Sequence, residues 1–105
     1  MRIVVAALVA SVSSAALAAP LPVRPGIVYC GDGLDLSAEG IGGEDFFCEA
    51  AAPADPDGSV LLNCEHSEPE YGDPWSMPAT VVENVRAGTV DYVSPDGPIT
   101  LERCE

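Results

Sequence analysis

Four cysteines in a short chain, Cys30, Cys48, Cys64 and Cys104, constrain the fold more than any other feature of the sequence. They stand 18, 16 and 40 residues apart. Cysteines that hold zinc come in close pairs such as C-x-x-C, and none of these gaps is of that kind. An even number of widely spaced cysteines in 105 residues reads as two disulfides, provided the chain reaches an oxidising compartment.

The amino end supplies that condition. Met1-Arg2 gives a basic start, and Ile3 to Leu17 is apolar apart from Ser11, Ser13 and Ser14. Ala16-Leu17-Ala18 then places small residues where a signal peptidase reads. Residues 1–18 are therefore predicted to be a signal peptide. Residues 19–105 are predicted to be one disulfide-tied domain, periplasmic or secreted. The apolar run is too short for a membrane anchor and does not recur, so no membrane anchor is expected.

Charge narrows the partners. Seventeen acids face four arginines and no lysine, and loss of Arg2 with the leader takes the formal charge from −13 to −14. Such a chain is repelled by nucleic acid and by anionic membrane surfaces. A basic protein or a cation is the partner that the charge admits.

Turn signals recur at Gly31-Asp32-Gly33, Gly42-Gly43, Asp57-Gly58, Ala87-Gly88 and Asp96-Gly97. Short alternating or β-branched runs lie between them, which predicts an all-β antiparallel meander closing into a barrel or a sandwich. Leu34 to Glu39 alternates, and Glu44 to Ala50 is its expected return strand. A three-residue loop, Ile41 to Gly43, pairs Leu36 with Cys48 and turns Cys48 into the core; a two-residue loop turns it out. Val60, Leu62 and Cys64 alternate in the same way. Thr89 to Val93 and Ile99 to Cys104 read as further strands. Residues 76–87 carry helix punctuation, but their β-branched content favours a strand. Residues 65–78 read as a long acidic loop.

The run Ala54-Asp55-Pro56-Asp57-Gly58-Ser59 invites a calcium-loop reading. With Gly58 at the sixth position of an EF-hand loop, Asp55 and Asp57 fall on ligand positions. The first position is then Pro53 and the twelfth Cys64, and neither supplies a carboxylate. Pro-Asp-Gly occurs again at 95–97 between strand-like runs. Proline presets the first turn residue and glycine takes the positive φ that follows, so both copies read as hairpin turns.

If Asp55 closes its turn against Ser59, Cys64 falls opposite Ala50. A looser loop through Pro53 is needed to bring it to Cys48. On that reading Cys48 pairs with Cys64 and Cys30 with Cys104, each bridge stabilising by roughly 3 to 4.5 kcal/mol. Two other pairings stay open at the level of sequence.

Catalytic chemistry lacks its parts. His66 is the only histidine, no free cysteine is expected beside it, and it reads as an exposed loop residue. A glycosidase-like carboxylate pair needs a cleft that a small hairpin domain does not offer. Glu65, Glu68, Glu70 and Asp73 read as a solvated loop before a cation site, and Trp75 as a lid over the core before a contact residue. The expectation is a protein that is not an enzyme, with no catalytic residue, metal or cofactor.

Tyr29-Cys30, Gly42-Gly43, Phe47-Cys48, Cys64 and Arg103-Cys104 together resemble small exported four-cysteine β proteins of α-proteobacteria, which implies a fold and a compartment but no activity. The chain is also similar, more distantly, to the periplasmic C-type lysozyme inhibitors, small β-barrels with a Tyr-x-Cys-like start bridged to a late cysteine. That resemblance implies inhibition of a basic enzyme. It departs from the family in having no lysine and no Ser-Gly-x-x-Tyr motif, where those inhibitors use a serine and a lysine. The expected function is a binding or structural module, with the inhibitor as the alternative.

Overall fold

The computed structural model describes residues 19–105; the predicted signal peptide, 1–18, lies outside them. Eight antiparallel strands follow one another around a closed barrel. They are β1 (Tyr29–Gly31), β2 (Leu34–Ser37), β3 (Gly40–Gly42), β4 (Phe46–Ala50), β5 (Ser59–His66), β6 (Trp75–Asn84), β7 (Thr89–Ser94) and β8 (Gly97–Arg103). The all-β reading holds, and the barrel is the form it takes. Residues 76–87, ambiguous in sequence, belong largely to β6.

Closure follows from the register. Tyr29 faces Leu36 on one side and Arg103 on the other, so the first and last strands pair and no edge is left open. The row of facing residues from Tyr29 runs through Leu36, Ile41, Cys48 and Cys64 to Trp75, at the start of β6. In the other direction Arg103 meets Gly88, beyond the far end of β6. That offset is the stagger a closed barrel requires.

Alternation along each strand fills the interior. Tyr29, Leu36, Ile41, Cys48, Leu62, Val81, Val90 and Leu101 are fully buried, and no polar or charged residue is buried among the described residues.

Two expectations are corrected. Leu36 faces Ile41, not Cys48, because Gly40-Ile41-Gly42 forms a strand of its own between β2 and β4. Ala38-Glu39 makes the tight turn into it, where the Glu39 N–H donates to the Ser37 hydroxyl. Cys48 still enters the core, since the added strand keeps its parity. Residues 65–78 are not one loop either. β5 runs on to His66 and β6 begins at Trp75, leaving a shorter connection with a single 3-10 turn, Pro69–Tyr71.

The Asp-Pro-Asp-Gly run is a turn. Gly58 N–H donates to the Asp55 carbonyl at 2.9 Å, and Asp55 N–H donates to the Ser59 carbonyl at 2.8 Å. Gly58 has φ 90°, which only glycine adopts without strain. The next backbone bond joins Ala51 to Leu61. Ala52, Pro53 and Ala54 therefore bulge out against Val60 alone. The bulge shifts the register by two and sets Cys48 directly opposite Cys64, Cα atoms 4.0 Å apart. Both disulfides pair as the hairpin argument favours, Cys48 with Cys64 and Cys30 with Cys104.

Residues 19–28 form an arm across the end of the barrel where β6 finishes. Ala19 bridges to Ala50, and Leu21 N–H donates to the Ala38 carbonyl. Leu21 and Val23 are buried there.

Candidate functional site

The end of the barrel away from the arm collects aromatic rings. β4 and β5 place Phe46 opposite His66, and β5 and β6 place Cys64 opposite Trp75, so the three rings meet at one rim. The His66 and Trp75 centroids lie 4.7 Å apart, and Phe46 stands 6.3 Å from Trp75. Tyr71, carried in by the 3-10 turn, meets His66 edge-on at 6.3 Å. Offset and edge contacts of this kind hold aromatic clusters together. Trp75 acts as the lid foreseen from sequence, packed on the core. His66 is corrected: it ends β5, half-buried against Trp75, and is not an exposed loop residue. The signal was present, since the alternation of Val60, Leu62 and Cys64 continues to His66.

Acids surround these rings. Glu44 and Asp45 precede Phe46, Glu65 precedes His66, and Glu68, Glu70 and Asp73 lie on the connection around Tyr71; all six are exposed. Glu65, Glu68, Glu70 and Asp73 do not converge on a common point. Among the described residues the one trio of metal-ligating atoms within 4.8 Å is Cys30, Asp35 and Cys104, and two of those are disulfide sulfurs. Asp57 is likewise occupied: its carboxylate accepts the Ser59 N–H at 2.9 Å, and that bond holds it below the usual carboxylate range.

At the arm end one acid is instead tied into a polar network. Glu83 points inward from β6, its side chain 9% exposed. The Tyr29 hydroxyl donates to it, and the Arg24 backbone N–H and Nε donate to its two oxygens at 3.0 Å each. Burial pushes the Glu83 carboxyl up, but the hydrogen bonds from Tyr29 and Arg24 outweigh it and hold the carboxyl below its ordinary range. Arg86 lies in the β6–β7 turn and Arg103 packs beside Gly88 of the same turn. The three described arginines thus gather near one end. Neither this network nor the aromatic rim was foreseen from sequence.

Fold and site together define a small disulfide-tied, up-and-down β-barrel with one end sealed by polar bonds and the other presenting rings among acids. The chain matches no known protein family, and no characterised protein or solved structure shows detectable similarity to it.

Proposed function

We propose that this chain is an exported binding module, with no catalytic role of its own, that takes a basic protein partner on the acidic, aromatic side of its barrel. The observation that carries the reading is the separation of charge. Six exposed acids within the stretch 44–73, Glu44, Asp45, Glu65, Glu68, Glu70 and Asp73, stand around the rings, whereas the three described arginines lie toward the other end. Repulsion within such a stretch is relieved by a cationic partner, and half-exposed rings beside it supply apolar contact. Two disulfides and the signal-like leader support export. No helix among the described residues is long and apolar enough to cross a membrane.

Trp75 is the single tryptophan and reports on the rim directly. Titration of the mature domain with hexalysine at low salt is expected to give a saturable change in its fluorescence. The apparent affinity should fall as salt rises, since exposed charges are screened. A flat titration at every salt concentration overturns the reading. Inhibition of a basic enzyme such as lysozyme is the narrower reading, favoured by a first strand bearing Tyr29-Cys30 bridged to Cys104 after the last. Loss of lysozyme turnover at micromolar domain supports it, whereas binding without loss of turnover returns the protein to the general class.

A further inference from the structure

Beside the aromatic rim, the outer wall of the barrel holds a pocket of about 200 Å³, lined mainly by Phe47, Glu49, Asn63, Glu65 and Pro74. The register explains the grouping. Phe47 lies directly opposite Glu65 and Glu49 directly opposite Asn63, so four outward side chains of β4 and β5 form a square. Pro74, leading into β6, closes one side.

The Phe47 ring leans away from this square onto β3. A Cβ at Gly40 would come within 2.7 Å of its Cζ, so a side chain there would push the ring off the wall. Phe47 is nevertheless 40% exposed. The Asn63 amide oxygen is taken by the Ser76 hydroxyl at 2.9 Å. Among the described residues, neither the Glu49 nor the Glu65 carboxylate has a hydrogen-bond or ion-pair partner, the one ion pair being Arg24 with Glu83.

A partly exposed ring beside two free carboxylates suits a guanidinium better than the ammonium of a lysine. Guanidinium is planar, stacks on a ring while it donates to carboxylates on either side, and sheds water more readily than an ammonium. The larger groove by Pro53, Leu61 and Pro78, about 640 Å³, has Asp55 as its sole charged residue and no aromatic ring. It offers nothing comparable to a cation.

We infer that the Phe47 pocket seats an arginine side chain of the basic partner. The inference rests on the charge-driven reading above and adds a preference that charge alone does not give, arginine over lysine.

Calorimetric titration with hexa-arginine and hexalysine tests the two separately. The unaltered domain should bind hexa-arginine roughly three- to fivefold more tightly, the scale of an exposed cation–π contact. Phe47→Leu should bring hexa-arginine down to the hexalysine affinity while leaving hexalysine unchanged. Glu49→Gln with Glu65→Gln keeps the ring in place and tests the carboxylates alone. It should weaken hexa-arginine more than Glu68→Gln with Glu70→Gln, which removes the same charge elsewhere. Equal binding of the two peptides, or equal weakening by the two double variants, overturns the arginine pocket and leaves the charge-driven reading standing. Failure of both peptides to bind overturns both.

Discussion

The two ends of the barrel solve the problem of an open mouth in different ways. At the arm end, Leu21 and Val23 fill the mouth and Glu83 has each carboxylate oxygen engaged by Arg24 or Tyr29. At the other end, Phe46, His66, Trp75 and Tyr71 cover the mouth with ring contacts alone, and Tyr71 remains 56% exposed. A mouth that buries its apolar groups and satisfies its polar ones contributes to stability. A mouth that leaves rings exposed among unneutralised acids retains surface for a partner. The difference suggests a division of labour along the barrel axis.

Truncation probes that division most strongly. Leu21→Ala removes a buried side chain from the arm end and is expected to cost about 3 kcal/mol in urea unfolding. A loss below about 1 kcal/mol would show that the arm lies on the barrel without sealing it.

The next effect is electrostatic. Glu83→Gln keeps the shape of the network and removes its charge, with an expected cost of about 1 kcal/mol at neutral pH because Arg24 is open to solvent. The folded-state pKa of Glu83 lies below its unfolded value, so the stability it contributes is present above the unfolded pKa. It is lost as pH falls through the folded one. The gap between the parent and Glu83→Gln should therefore hold from neutral pH down to about 4 and close below that. A gap constant down to pH 2 breaks the account.

The smallest effect sharpens the comparison from the other side. Tyr71→Ala, at the aromatic end, is expected to change stability by less than about 0.5 kcal/mol while weakening hexalysine binding. A loss matching that of Leu21→Ala would mean that the rim is as structural as the arm.

How far the sequence discloses this molecule depends on how local the information is. The hairpin turns at 55–58 and 94–97 follow from turn chemistry over a few residues, whereas the pairing of the cysteines stays open until the bulge at 52–54 and the closure of the barrel set it. β3 escaped because Gly40-Ile41-Gly42 has one side chain of any size, too little to show a period. The ends of β5 and β6 were hidden inside a loop-like composition of acids and prolines, although Pro78 sits opposite Leu61 within the sheet. Leu21 stands among prolines, and its partner Ala38 lies far along the chain. Tyr29 and Glu83 are 54 residues apart. Contacts of that range are set by barrel closure, which no window of sequence contains.

The nesting of the two bridges, Cys48–Cys64 inside Cys30–Cys104, bears on how the molecule is made. A chain that emerges amino end first offers Cys30 and Cys48 to an oxidant long before Cys104 appears. An oxidant that joins cysteines in order of arrival would tie Cys30 to Cys48 and leave Cys64 for Cys104, a pairing that breaks the barrel closure. Reaching the native pattern requires either that the barrel closes while its thiols are still free or that a thiol catalyst reshuffles the early bridge. The native bridges thus record which comes first, closure of the barrel or oxidation of its thiols, and call for isomerisation only in the second case.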